Sequence, residues 1–188
     1  MNVIECPLSG LKVIEPKIFY DNRGYFFESW SQRDFDREVS PVVFVQDNES
    51  KSCAGVVRGL HFQTPPYAQS KLVRCVSGKV LDIALDIRKG SPTYGKHFSV
   101  VLDAEKHNQF FIPQGFAHGF VGLTPDIVFQ YKCDNYYAPD HYDGINILDK
   151  ALGLDLPDLG LELILSDKDK QHPNLCDYDS PFIYGVNC

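Results

Sequence analysis

KVLDIALDI, residues 79–87, decides the fold. Leu81, Ile83, Leu85 and Ile87 fall on one face of an extended chain, and Val80, Asp82, Ala84 and Asp86 on the other. That two-residue period belongs to a strand, not a helix. Similar short extended segments run outward in both directions. Upstream lie GYFFESW (24–30), VVFVQDN (42–48), GVVRGLHFQ (55–63) and KLVRCVSG (71–78); downstream lie KHFSVVLD (96–103), NQFFIP (108–113) and DIVFQYKC (126–133). Turn residues separate them at Ser77-Gly78, at Lys89-Gly90-Ser91-Pro92 and from Pro113 to Gly115. Many short strands from about 11 to 133 predict an all-β sandwich or barrel. One helix is predicted over 31–39, with Ser31 as its cap and Asp34 at the capping-box position. Beyond 148 the text reads as short helical turns and loop. No repeat or linker divides the 188 residues, so one domain is expected over 1–188.

Composition narrows the functional classes. Apolar residues make up 44% and charged residues 23%, which excludes bulk disorder, and 13 Phe and 10 Tyr favour strands. A net charge of −7 argues against nucleic acid or an anionic membrane as partner. The opening MNVIECPLSG lacks the pattern of a signal peptide, and no apolar run approaches the roughly 18 residues of a membrane span. A cytoplasmic location is therefore expected. Cysteines at 6, 53, 75, 133, 176 and 188 show no CxxC and no zinc spacing, so free thiols are expected.

Five segments carry candidate chemistry. DNRGYFFE (21–28) presents Arg23 on a turn, with Phe26 and Glu28 following. In QDN (46–48), Gln46 and Asn48 share a face, suited either to a ligand or to loop backbone. GVVRGLHFQTPP (55–66) embeds Arg58 and His61 in an apolar strand. A cation there needs an anionic partner, and the planar Arg fork suits a diphosphate. Strict alternation puts Arg58 and His61 on opposite faces; they share a site only if Gly59 makes a bulge. FIPQGFAHGF (111–120) delivers His118 from a tight turn, and LSDKDKQHP (165–173) carries Lys168 and Asp169. Lys71 shares an apolar face with Val73 and Cys75, and Tyr131 shares one with Ile127, Phe129 and Cys133. Taken singly, a snorkelling Lys and a core Tyr are the simpler readings.

Cofactors are not indicated. Pro113-x-Gly115-x-x-His118 is similar to the second metal motif of cupins, but His61-Phe62-Gln63 stands where His-x-His would be needed. There is no GxGxxG and no P-loop.

Together the five segments resemble the dTDP-4-dehydrorhamnose 3,5-epimerases. The matching text is DNRGYFFESW, QDNESKS, GVVRGLHFQTPP, KLVRCVSGKVLDIALDIRKGSPTYG, FIPQGFAHGF, YKCDNYY and LSDKD, in order, from about 8 to 175. The resemblance implies a jelly-roll, cupin-like β-sandwich barrel with a few short helices, metal-free and homodimeric. It implies inversion of C3 and C5 of dTDP-4-dehydro-6-deoxy-D-glucose on the way to dTDP-L-rhamnose. By the same resemblance His61 is the general base, Asp169 its carboxylate partner, Tyr131 the general acid and Lys71 the residue beside the C4 oxygen. Arg23, Gln46, Asn48, Arg58, His118 and Lys168 match ligand-binding positions. Glu28 and Tyr137 match positions near the thymidine, and Phe26 is matched to the partner subunit's site. The text departs from the family at HYDGINILD (141–149), where Tyr142 stands at or near an acidic position.

The alternatives are an epimerase acting at C3 or C5 alone, a 3,4-ketoisomerase, a nucleotide-sugar binding module without catalysis, and a cupin-type metal oxygenase. Retained Tyr131 favours double epimerisation, the four matched catalytic residues argue against a binding module, and the missing His-x-His argues against an oxygenase.

Overall fold

The computed structural model describes residues 1–186. Two antiparallel sheets face each other. The first contains β1 (Asn2–Glu5), β2 (Lys12–Glu15), β5 (Gln46–Ser52), β7 (Lys71–Ser77), β10 (Gln109–Ile112) and β12 (Ile127–Cys133), in the order β1-β2-β10-β7-β12-β5. The second contains β6 (Val57–Gln63), β8 (Lys79–Asp86), β9 (His97–Asp103), β11 (Phe116–Gly122) and β13 (Tyr142–Gly144), in the order β13-β6-β11-β8-β9. A separate hairpin pairs β3 (Phe19–Asp21) with β4 (Gly24–Phe26).

The alternation in 79–87 sorts two cores. Val80 and Ala84 point between the sheets, against Val73, Cys75, Phe110 and Phe129. Ile83, Leu85 and Ile87 point outward and are covered by Ile145, Ile147, Leu152, Leu165 and Phe182 of the C-terminal segment. That segment holds three short 3-10 turns, at 150–152, 169–171 and 175–177, so it coats the second sheet and delivers Asp169 to its edge. Asp82 and Asp86 are both fully buried on β8, with different partners. Asp86 is satisfied by Arg88, Ser91 and Thr93 of the following turn, at 2.6–2.9 Å, while Asp82 faces the interior.

The helix forms as α1 (Gln32–Glu38) and lays Phe35 and Val39 over the outer face of the first sheet, against Ile14, Leu72 and Phe111. Its cap differs from expectation. The Ser31 hydroxyl bonds the Asp34 carboxylate at 3.3 Å rather than a backbone N–H, and no side chain caps the helix. The segment 42–48 is extended into the sheet only from Gln46. Gln46 pairs with Cys133, the last residue of β12, and Val45 N–H still reaches the Cys133 carbonyl at 2.9 Å, so the strand partner runs out before Val42 to Phe44. Only residues 24–26 of 24–30 pair. Strands β1 and β13, short and at sheet edges, are additions that no sequence pattern signalled. Among the described residues Cys6, Cys53, Cys75, Cys133 and Cys176 are free; Cys188 lies outside them. Among the described residues no helix is long and apolar enough to cross a membrane.

Candidate active site

The sheets part at one end around a cavity of about 780 Å³, a size that suits a small ligand. Ten of the thirteen residues singled out from the sequence line it: Gln46, Asn48, Arg58, His61, Lys71, His118, Tyr131, Tyr137, Lys168 and Asp169.

Arg58 and His61 meet there through a bulge. On β11, His118 pairs with His61 and Phe120 with Arg58, so three steps along β6 oppose two along β11. Gly59 supplies the extra residue at φ +126, and its Cα runs so close to β11 that an added Cβ would lie 2.4 Å from Gly119 Cα. Only glycine combines that dihedral with that approach.

On the β6 wall, His61 Nε2 contacts Asp169 Oδ1 at 2.7 Å. Burial would raise the Asp169 pKa, but the His172 and His61 rings and Ser166 outweigh it and hold the carboxyl well below the usual range. Burial pushes the His61 pKa below its ordinary value, against the pull of Asp169. An anionic Asp169 beside a neutral His61 fixes the tautomer: Nε2 carries the proton and donates it, and Nδ1 holds the lone pair.

The opposite wall belongs to the first sheet. Tyr131 on β12 lines the cavity and, among the described residues, its hydroxyl has no hydrogen-bond partner; burial raises its pKa. Lys71, on β7 and paired in register with Cys133, has no carboxylate within ion-pair distance among the described residues. Burial pushes its pKa down, against the nearby Cys133 and Asp82. The Tyr131 hydroxyl is not satisfied by protein among the described residues, and the half-buried Lys71 lines the cavity.

A second histidine–carboxylate pair lies deeper. His118 Nε2 is 2.9 and 3.0 Å from the two oxygens of Asp82. Burial raises the Asp82 pKa, with His118 opposing it. At the mouth, Arg58 donates to Ser52 Oγ at 3.1 Å and to the Lys51 carbonyl at 3.2 Å, and has no carboxylate partner among the described residues. Lys168 Nζ stands 3.9 Å from the Tyr142 ring centre, a cation–π distance. Three cations without protein anions thus surround the cavity of a chain that is acidic overall.

Gln46 serves backbone in this chain. It accepts from Tyr137 N–H at 3.0 Å and donates to Asn48 at 3.0 Å, which sets the segment bearing Tyr137. Gln63, not singled out from the sequence, does the same: it donates to the Tyr67 and Tyr136 carbonyls at 2.7 and 3.1 Å and accepts from Ala138 N–H at 2.7 Å. Asp82 and His172 were also missed, and Tyr142 stood out only as a departure from the family text; an Asp on the Val80–Ala84 face, which Asp86 shares, was the signal for Asp82. Arg23, Phe26 and Glu28 lie away from this chain's own cavity; of the three, Phe26 was matched to the site of a partner subunit. Arg23 is bound to Asp21 in an exposed ion pair, and Phe26 and Glu28 line a separate hollow beside Trp30. The reason is the hairpin, which projects from the sandwich with Phe26 70% exposed.

The ligand atoms of His61, Asp169 and His172 lie within 4.8 Å of one another. The His61–Asp169 contact is a hydrogen bond's length, shorter than the roughly 3.3 Å between ligands on one tetrahedral zinc. The group therefore fits a hydrogen-bonded dyad better than a metal centre.

Two facing antiparallel sheets, with ionisable groups from both converging on one cavity, define a cupin-like protein with a site built for proton transfer. A family model described as dTDP-4-dehydrorhamnose 3,5-epimerase matches residues 5–177, and the chain belongs to that family. It is 48% identical to the dTDP-4-dehydrorhamnose 3,5-epimerase of Shigella flexneri over 95% of this chain and 98% of the relative, and 47% identical, with the same coverage, to that of Pseudomonas aeruginosa. Its structure is similar to the crystal structure of a dTDP-6-deoxy-D-glucose-3,5-epimerase from Legionella pneumophila in complex with dTDP-4-keto-L-rhamnose. The TM-score is 0.91 and the identity 45%, over 95% of this chain and 94% of that one. A 3'-monoepimerase from Streptomyces bikiniensis in complex with dTDP-quinovose is more distant in sequence, at 35% identity and TM-score 0.86, over 91% of this chain and 86% of that one.

Proposed function

We propose that this chain inverts C3 and C5 of dTDP-4-dehydro-6-deoxy-D-glucose to give dTDP-4-dehydro-L-rhamnose, without cofactor. The observation that carries this reading is the separation of His61 and Tyr131 onto opposite sheets across one cavity. Inversion needs a base on one side of the ring and an acid on the other.

A C–H next to the C4 ketone is acidified because its anion is an enolate. His61 Nδ1 takes that proton, and the electrons move to the C4 oxygen. Asp169 stabilises the imidazolium that forms. The Lys71 ammonium faces the growing charge on the C4 oxygen. Tyr131 then gives its phenolic proton to the carbon from the other face, and the electrons return from oxygen. His61 has gained one proton and Tyr131 has lost one; exchange with solvent resets both. The same cycle acts at the second carbon.

Arg58, His118, Lys168 and Asn48 hold the diphosphate and nucleotide, and Tyr137 stacks on the thymine. Arg23, Phe26 and Glu28 act on the cavity of a second copy in a cytoplasmic homodimer. The exposed hairpin supports this: Phe19, Tyr20, Tyr25 and Phe26 are 51–71% exposed.

The test is solvent exchange. In D2O with the 4-dehydro sugar nucleotide, deuterium is expected at both C3 and C5 by NMR. Deuterium at one carbon alone would place the chain with the mono-epimerases, and none at either would overturn the substrate.

A further inference from the structure

His172 is a buried histidine that the mechanism above leaves unused. Its Nε2 is fully enclosed and lacks a hydrogen-bond partner, a state that buried polar atoms rarely keep without reason. It points at the catalytic pair: Nε2 lies 3.7 Å from Asp169 Oδ1, the same oxygen that His61 contacts at 2.7 Å. The His61 and His172 ring centres are 5.6 Å apart, edge to face.

Two features hold the ring there. The 3-10 turn at 169–171 brings positions 169 and 172 to one side. Gly144, paired with His61 across β13 and β6, leaves the space the ring fills; a Cβ there would lie 2.6 Å from His172 Nε2. The segment is latched to the chain after β13 by Asn146 N–H to the Pro173 carbonyl at 2.8 Å and by Asn146 to Asn174 at 3.0 Å. None of these features is needed merely to fill space.

We propose that His172 is a positioning residue, a second N–H donor that holds the Asp169 carboxylate anionic and fixed behind His61. The proposal rests on the reading of His61 as the base. A rotation of either side chain by a few tenths of an ångström to one ångström closes 3.7 Å to a hydrogen bond. With two donors on one oxygen, Asp169 is a weaker base, so the proton taken from carbon stays on His61 and is not passed to the carboxylate. The donor also tempers the pull of Asp169 on the imidazolium, which keeps His61 a free base at neutral pH.

The charged and titratable groups around the cavity that His61 faces are Asp169 and Lys168 from the C-terminal segment, Arg58 from β6, Lys71 from β7, His118 from β11, Tyr131 from β12, Tyr137 from the segment after it and Tyr142 from β13, with His172 behind the pair. Of these, substitution at 172 removes only one.

The experiment compares His172→Phe, which keeps a ring but no donor, with His172→Gln, which keeps an N–H near the Nε2 position. The readouts are kcat, KM and the His61 pKa by NMR of labelled imidazole. Expected for His172→Phe is a fall in kcat on the order of tenfold, the effect of one charge-assisted hydrogen bond, with KM little changed and the His61 pKa raised. His172→Gln should recover most of both. If Phe matches the wild type in kcat and pKa, the ring only fills space and the proposal is overturned. Equal losses in Phe and Gln with an unmoved His61 pKa overturn it as well. Should Phe fail to fold, the His61 pKa and kcat of the Gln variant decide: near wild type supports the donor, far from it refutes it. His61→Asn separates the two readings, because retained C3 and C5 exchange in that variant would remove the base assignment itself.

Discussion

Arg58 and His61 stand three residues apart on one strand and still face the same cavity, because the bulge at Gly59 takes up the odd residue. Gly59→Ala should therefore break both fold and site. The new methyl meets Gly119 Cα at 2.4 Å and the His118 carbonyl at 2.8 Å, all backbone that cannot turn aside. Crowding and the positive φ together cost about 3 kcal/mol or more. At this chain length that lowers Tm by on the order of 10 °C. Thermal unfolding with a kcat measurement checks it; a variant within 2 °C or so of wild type at full activity would mean that the strand can do without the bulge.

Tyr131→Phe separates proton removal from inversion. The hydroxyl has no protein partner, so its loss leaves no buried group unpaired and should barely change stability. His61 can still remove a proton and, once its own proton has exchanged, return deuterium to the same face. Expected in D2O is wash-in with retained configuration at the carbon that His61 deprotonates, and a fall of about 10²- to 10⁴-fold in formation of the inverted product. Full inversion in the phenylalanine variant would assign the acid elsewhere.

The sheets were legible because β8 is an interior strand, paired on both sides and covered on both faces, so its two-residue period had little to blur it. The site was legible in pieces: a Lys and a Tyr on apolar faces are expensive, and expense marks a position. What the text hid was partnership. Asp82 and Asp86 look alike on one face of 79–87, yet one closes a turn and the other holds His118, because only the distant β11 sets the difference. Gln63 and Gln46 work through backbone contacts that no side-chain pattern announces. His172 depends on a missing Cβ at Gly144, in a three-residue edge strand too short to leave a signal. Arg23, Phe26 and Glu28 match the family text, but their own chain holds them away from its cavity.

That hairpin gives a mixing experiment. A chain with Arg23→Ala and Phe26→Ala keeps its own His61–Asp169 pair but would offer a partner a defective hairpin. A His61→Asn chain has the reverse defect. If the hairpin works across a homodimer, mixing the two inactive proteins under conditions that exchange subunits should give activity above the sum of the parts. One site in each mixed dimer then has both an intact base and an intact hairpin. Sedimentation would follow the assembly alongside the assay. No gain on mixing, with mixed dimers present, would assign these residues no role in a second copy.

The pH profile should be set by two groups that burial moves the same way. His61 must be neutral to act as base, and its pKa lies below the ordinary imidazole value of about 6.5. The acid limb of kcat/KM should therefore fall below that pH, with activity rising as His61 loses its proton. On the alkaline side Lys71 and Tyr131 both need their protons. Burial lowers the Lys71 pKa and raises that of Tyr131, which favours Lys71 as the group that loses its proton first as pH rises. The alkaline limb belongs to Lys71, below its ordinary value of about 10.4. Lys71→Arg, permanently charged, should move that limb upward even if the bulkier head lowers the plateau, while Tyr131→Phe should leave its position unchanged in the residual exchange reaction. A limb that moves with Tyr131→Phe and ignores Lys71→Arg would reverse the assignment and make the phenol the group that titrates.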